Sequence, residues 1–324
     1  MSNEPLVTVV SPIYNGEKHV RACAECMLAQ TYTNWRYVIL DNHSTDGTGA
    51  IAADCASRDG RIRVVRNPET YPVIRNHNEA FRQAETGSVY FRFLQADDRI
   101  TPDCLEASVA VAERHPSAGI VGSQFLWGDK VTATEFPEGE FFAGHDTARR
   151  TLLGHVYPFL TPSGLLWRMQ AVQAREPLWD ERYLYADVMA CYEILREWDF
   201  GYVPRALTVA GRDANSVTSQ VTGSFNKMLA SNLHLLVMFG PGCLEEELYE
   251  KRVAQQLAVY YAYLGQSWWH RRLAAFWDFH AAELRGMGFP LSKWRVRRNA
   301  LRYLRAEPGD ALSQFARSFT GDRT

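Results

Sequence analysis

Over its first 125 residues the sequence alternates short apolar runs with longer stretches of helical spacing, and this alternation restricts the architecture more than any single motif does. The runs at 6–10, 35–40, 62–65, 89–94 and 118–121 are rich in Val, Ile, Leu and aromatic residues and read as buried strands. Between them, 17–29, a stretch reaching about 57, 73–85 and a segment opened by Pro102 and closed near His115-Pro116 have helical spacing. Strands and helices in this order imply βαβ units. The expected fold class is therefore α/β, a Rossmann-like, mainly parallel sheet flanked by helices on both faces.

Past 148 the pattern loosens. Helices are expected near 148–153 and 187–198, and short strands near 164–167 and 202–209. The stretch 127–144 is rich in Gly, Pro and charge and reads as a loop. From 222 onward nearly everything reads as helix, broken at Pro241-Gly242, Gly265, 286–290 and Pro308-Gly309. The expected division is an α/β domain over 1–221, in halves 1–125 and 126–221, with a helical C-terminal appendage over 222–324.

Bulk properties exclude several classes. A net charge of −2 over 324 residues argues against a general nucleic-acid binder. No apolar run is long enough to span a bilayer, and Met1-Ser2-Asn3-Glu4-Pro5 is not a signal peptide, so the cytoplasm is the expected compartment. The six cysteines are scattered. Cys23-Ala24-Glu25-Cys26 has metal or redox spacing, but no second Cys pair or His pair accompanies it, and reduced thiols are expected.

Polar residues recur just past each strand. Pro12, Tyr14 and Asn15 follow the first, Asp41 the second, Arg75 comes after the third, and Gln95, Asp97 and Asp98 follow the fourth. In a parallel sheet these positions share the carboxyl edge, where ligands bind in open α/β folds. An aromatic face, a carboxylate for a base or ribose, a guanidinium for phosphate and hard oxygen donors for a divalent cation are the parts of a nucleotide-diphosphate site. Asp-Asp after a strand also suits a simple turn. No Gly-x-Gly-x-x-Gly follows the first strand and no P-loop occurs.

Four linked segments carry a resemblance. Val9-Val10-Ser11-Pro12-Ile13-Tyr14-Asn15, Val38 to Thr48 through Asp41-Asn42-His43-Ser44-Thr45-Asp46-Gly47, Arg75-Asn76-His77-Asn78, and Leu94-Gln95-Ala96-Asp97-Asp98 resemble glycosyltransferase family 2 in order and spacing. The resemblance covers the first 125 residues well and extends loosely to about 219. It implies a GT-A fold and inverting transfer from a nucleotide-activated sugar, taken to be a UDP-sugar, to a glycan or lipid-linked acceptor.

By position, the resemblance implies that Pro12, Tyr14 and Asp41 hold the base and ribose, that Arg75 approaches the diphosphate or base, and that Asn15, Gln95, Ala96 and Asp97 complete the nucleotide-sugar site. Asp97 matches the last residue of the family's Asp-x-Asp and would serve Mn²⁺ or Mg²⁺, with Asp98 flanking it. Gln95 stands where the first Asp often does and supplies no charge. Asp187, opening a helical run after Tyr183-Leu184-Tyr185-Ala186, aligns with the family's Glu-Asp and would be the general base. A helix N-terminal carboxylate stabilised by the helix dipole is the alternative for Asp187. Asp213 falls where the family carries a His, a candidate to close over the metal or diphosphate. A nucleotidyltransferase is disfavoured because 11–18 lacks a Gly-rich basic loop. A non-catalytic binding protein is the other alternative, for which Gln95 and Ala186 speak.

Between 266 and 305 nine Lys and Arg face two acids, with Trp268, Trp269, Trp277 and Trp294 interleaved. Basic helices with aromatic faces suit an anionic membrane surface, which would make the protein peripheral at the inner face of the plasma membrane. Solvated arginines on helices packed by their aromatics are the alternative.

Overall fold

Strand β1 (Val7–Ile13) is buried along its whole length. A strand covered on both faces is apolar on both, which is why the run does not alternate. β2 (Trp35–Asp41) lies parallel to β1, and β3 (Ile62–Arg66) lies parallel to β2. On its other side β1 pairs in parallel with β4 (Tyr90–Phe93). Helices α1 (Val20–Leu28), α2 (Thr48–Arg58) and α3 (Val73–Arg82) make the crossovers. Pro12 sits inside β1 without cost to the ladder. The β1–β4 pairing ends at Val10 and Phe93 with a last bond from Leu94 N–H, so no ladder bond toward β4 is missed at Pro12.

The chain then forms β5 (Arg99–Ile100), α4 (Cys104–Arg114), β6 (Ala118–Trp127), β7 (Lys130–Thr132), β8 (Phe141–Phe142), α5 (Gly144–Leu153), a 3₁₀ turn (Pro162–Gly164), β9 (Leu166–Arg168), α6 (Met169–Val172), α7 (Ala186–Ile194) and β10 (Asp199–Ala210). The sheet order is β3-β2-β1-β4-β9-β6-β10-β5, with β7 on β6 and β8 on β10. β9 runs antiparallel to both β4 and β6, so the parallel half ends at β4. Trp35, Tyr37, Phe91, Phe93 and Trp167 are fully buried around this sheet.

The computed structural model describes residues 4–127, 130–132, 136, 138–159, 161–211, 225–269 and 273–305. They divide into two units, 4–148 with 156–211, and 149–155 with 225–305. The second unit contains α8 (Lys227–Cys243), α9 (Glu246–Trp269), α10 (Ala274–Gly286) and α11 (Lys293–Arg305). Within it the Tyr260 hydroxyl lies 2.7 Å from His280 Nδ1, and Arg252 Nε donates to the Leu152 carbonyl at 2.9 Å.

Several expectations change. The fifth long strand runs to Trp127 rather than ending near 121, because β10 supplies a partner for its polar continuation. The expected loop over 127–144 contains β7 and β8, short pieces that exist by pairing with β6 and β10. Gly265 does not break a helix. It lies inside α9, where a Cβ would stand 2.7 Å from Ala300 N, so the glycine lets α9 and α11 approach closely. Pro241 falls in the last turn of α8 rather than between helices.

Candidate active site

Parallel register levels the strand ends. Ile13 pairs with Asp41, and Val10 with Phe93, so residues 14–16, 41–48 and 94–98 emerge at one edge. The first two loops are tied to each other. Asn15 adopts φ 48°, its N–H donates to Ser44 Oγ at 3.0 Å, and its Oδ1 accepts from Thr45 N–H at 2.9 Å. Gly16 N–H donates to Thr48 Oγ1 at 2.8 Å. The Asn15 carboxamide oxygen, expected to face a donor, thus holds the loop pair in place. Tyr14 beside it is 52 % exposed, and Pro12 is buried beneath.

Asp41 is 1 % exposed. One oxygen accepts from Ser44 N–H at 2.8 Å and the other from Arg66 Nη1 at 2.6 Å, while Arg66 Nη2 donates to the Ser44 carbonyl at 2.9 Å. A buried carboxylate needs such charge-assisted partners, and each oxygen keeps acceptor capacity after them. Arg66 was missed in the sequence reading. It ends β3, so the strand-end rule that found Asp41 would have found it too. Asn42 and Asn67, just past their strands, join side chain to side chain at 2.9 Å, and Asn67 bonds Asn76 at 2.9 Å. Arg75 reaches over the Tyr71 ring at 3.9 Å and forms no ion pair among the described residues.

The Gln95–Asp98 turn divides its side chains between the protein interior and the edge. Gln95 N–H donates to Ser163 Oγ at 2.9 Å and its amide faces His77. The Ala96 carbonyl accepts from the Cys23 thiol at 3.1 Å and from Arg99 Nη1 at 3.1 Å. Burial pushes that thiol up to about 12, so it stays protonated. Asp98, expected to flank a metal, instead turns inward. Its oxygens accept from Gly211 N–H at 2.9 Å and Thr161 Oγ1 at 2.9 Å, and burial holds its carboxyl above the ordinary range. Asp98 therefore anchors the turn to the end of β10. Gly211 allows this because a Cβ there would stand 2.2 Å from the Asp97 carbonyl oxygen. Asp97 is the opposite case: among the described residues nothing hydrogen-bonds or ion-pairs with its carboxylate.

Asp187 is the second residue of α7 and is part-exposed. Its apolar setting raises the carboxyl to about 6, against a lowering by its own and the Val188 amides. Upstream, Trp179 is clamped to α3, its N–H on Asn78 Oδ1 at 2.9 Å and its carbonyl accepting from Asn78 Nδ2 at 2.8 Å. Asp213 lies outside the described residues. Among the described residues no three His, Cys, Asp or Glu side chains are grouped to hold a metal ion.

The family model for Glycosyl transferase family 2 matches residues 8–175, just over half of the chain, and the chain belongs to that family. EpsE of Bacillus subtilis (strain 168), assigned by name as a glycosyltransferase, is 34 % identical over 127 residues, 39 % of this chain and 45 % of EpsE. TuaG of the same organism, assigned by name to teichuronic acid biosynthesis, is 29 % identical over 153 residues, 47 % of this chain and 60 % of TuaG. The chain thus spans about half the length of these curated relatives.

Solved structures agree on the fold. TarS 1–349 of S. aureus superposes with a TM-score of 0.58 at 17 % identity, over 78 % of this chain and 71 % of that one. The mannosyltransferase PcManGT from Pyrobaculum calidifontis, in complex with GDP-Man and Mn²⁺, superposes with a TM-score of 0.58 at 16 % identity, over 98 % and 86 %. The fold is GT-A.

Proposed function

We propose that the chain transfers a sugar from a nucleotide-diphosphate donor to a hydroxyl of a glycan or lipid-linked acceptor, with inversion at the anomeric carbon. The observation that carries this reading is the division within the Asp97-Asp98 pair. One carboxylate is spent on holding the turn, and the other is left unengaged at the edge where Asp41 and Arg75 also stand. TarS has been solved with UDP-GlcNAc, which favours a UDP-sugar, and PcManGT with GDP-Man and Mn²⁺.

Asp41, level in register with Ile13 between Pro12 and Tyr14, would receive the base and ribose with them. Arg75 would swing from Tyr71 to the diphosphate. Mg²⁺ and Mn²⁺ bind through one or two carboxylates plus substrate phosphates, and Asp97 fits that requirement as the single protein ligand. Held there, a divalent cation would supply charge neutralisation for the leaving diphosphate. Asp187, ionised, accepts the acceptor hydroxyl's proton as that oxygen bonds to the anomeric carbon. The bond to the diphosphate breaks and the nucleotide leaves with the electron pair. Transfer is assigned to the 1–221 region and attachment to the helices beyond it.

The helical unit supports a membrane-surface role. Along α11, Lys293, Trp294, Arg297, Arg298, Leu301 and Arg302 form one exposed stripe, while Val296 and Ala300 are buried. No described helix is long and apolar enough to cross a membrane. A basic stripe carrying Trp and Leu suits an anionic bilayer, which would place the protein at the inner face of the plasma membrane. Flotation with anionic liposomes tests it, and failure to bind at low salt would remove this part.

Hydrolysis or transfer assays with UDP-GlcNAc and GDP-Man, with and without Mn²⁺, test the activity. Asp97→Asn and Asp187→Asn should each cut turnover about a hundredfold or more. If both kept full activity, the site would be misassigned. Donor binding without turnover would favour the non-catalytic reading, to which the neutral Gln95 and Ala186 belong.

A further inference from the structure

His77 is a buried titratable side chain that the proposed chemistry leaves unused. It stands on α3 and is 7 % exposed. Its ring stacks on Trp179 at 4.6 Å and 22°, and meets Phe93 at 5.5 Å. The neighbouring Asn78 fixes Trp179 through the paired backbone bonds already described, so one face of the imidazole has a rigid wall.

The tautomer follows from the hydrogen bonds. Nδ1 lies 2.8 Å from the Val73 carbonyl oxygen, which can only accept, so Nδ1 carries a proton. Burial lowers the affinity of the ring for a second proton, and Nε2 is therefore a bare acceptor. The Gln95 amide faces that nitrogen, with its Nε2 at 2.9 Å and its Oε1 at 3.3 Å. Only the NH₂ group can bond there, and it is the nearer atom, so the network assigns the amide orientation. Gln95 is also pinned at its backbone, where its N–H donates to Ser163 Oγ at 2.9 Å.

We infer that His77 is a positioning residue for donor recognition: it orients the Gln95 carboxamide so that its oxygen is offered, uncharged, to a hydroxyl of the donor's ribose or sugar. This rests on the donor-site reading above. Positions 77 and 95 then form one unit. A carboxylate at 95 would meet the Nε2 lone pair acceptor to acceptor, so His77 selects an amide there and leaves Asp97 as the charged member of the turn. The neutral residue at 95 becomes part of a built arrangement rather than a lost ligand.

The test is a double-mutant cycle on donor binding. His77→Phe keeps the ring stacking and removes the nitrogens, and Gln95→Leu keeps volume and removes the amide. Each protein is titrated calorimetrically with whichever of UDP-GlcNAc and GDP-Man the wild type binds, in Mn²⁺, and kcat and KM are measured for donor hydrolysis. Each single variant should bind about three- to tenfold more weakly, with the loss in KM and kcat nearly unchanged. The double variant should be no weaker than Gln95→Leu alone, because the two act through one contact. Normal binding by His77→Phe beside weak binding by Gln95→Leu would overturn the inference and leave the donor site standing. Additive losses would overturn it as well. Normal binding by Gln95→Leu would show that residue 95 does not touch the donor and would overturn the inference, whereas a wild type that binds neither nucleotide sugar would remove the donor-site reading itself. Independently of the variants, imidazole ¹⁵N spectra of the wild type should show His77 protonated on Nδ1 and bare on Nε2. The opposite tautomer would overturn the inference outright.

Discussion

Replacing Asp187 with Asn should make the protein more stable and nearly inactive, and the two effects have one cause. The carboxyl titrates at about 6 in the fold against an ordinary 3.8, chiefly because burial removes part of the carboxylate's hydration. Each tenfold shift of that equilibrium is worth about 1.4 kcal/mol, so keeping Asp187 ionised at neutral pH costs up to about 3 kcal/mol. The side chain is part-exposed, and solvent screening reduces this to about 1–3 kcal/mol. The folded state binds the proton more tightly than the unfolded chain, so this contribution is most favourable below about 4, fades as pH rises from about 4 to 6, and is a full penalty above 6. Urea unfolding at pH 7.5 should therefore show Asp187→Asn stabilised by about 1–3 kcal/mol, with the gain shrinking toward pH 4.5. Turnover should fall by about 10²–10⁴, and wild-type turnover should decline as pH drops through about 6. A helix N-terminal carboxylate held favourably by the dipole behaves oppositely, since its loss would cost about 0.3–1 kcal/mol. A destabilised Asp187→Asn protein with normal turnover would refute the reasoning.

Other consequences follow from single contacts. Gly211→Ala would put a methyl 2.2 Å from the Asp97 carbonyl oxygen, so it should cost more than about 2 kcal/mol by thermal shift and weaken donor binding as the turn moves. Arg92 is fully buried in β4, bonded to the Ser108 and Thr208 hydroxyls, with Nε unpartnered among the described residues; Arg92→Met should be neutral or stabilising by about 1–3 kcal/mol in chemical unfolding, and a large loss would mean the guanidinium is better paired than it looks. Burial holds His280 at about 4, below the ordinary 6.5, so its contribution is present above 6.5 and lost as pH falls toward 4. Protection of the α9 and α10 amides, relative to their intrinsic exchange rates at each pH, should fall over that window in the wild type and less so in His280→Gln.

The parallel half of the sheet was legible because its strands are uninterrupted apolar runs and its crossovers have helical spacing, features set by local sequence. β7, β8 and β5 were not, since two- and three-residue strands take their conformation from a neighbour. Gly265 misled for a related reason: a glycine that ends a helix and one that admits a neighbouring helix look alike until the neighbour is in place. At the site, Asp41 and Asp97 could be read from their position past a strand, and the same rule applied to β3 would have yielded Arg66. The different fates of Asp97 and Asp98 depend on Thr161 and Gly211, 63 and 113 residues away, and no local pattern announces them. The same holds for His77, whose partners are Gln95 and the Asn78-clamped Trp179.

The central claim is that Asp97, freed by the inward turn of Asp98, holds the donor's diphosphate through a divalent cation at the carboxyl edge of the sheet. Calorimetric titration of UDP into the wild type and Asp97→Asn, with Mn²⁺ and with the metal chelated, tests it most directly. Binding should tighten with Mn²⁺ in the wild type, and that gain should vanish in Asp97→Asn while the metal-free affinity stays close to normal. An equal Mn²⁺ gain in both proteins would contradict the claim.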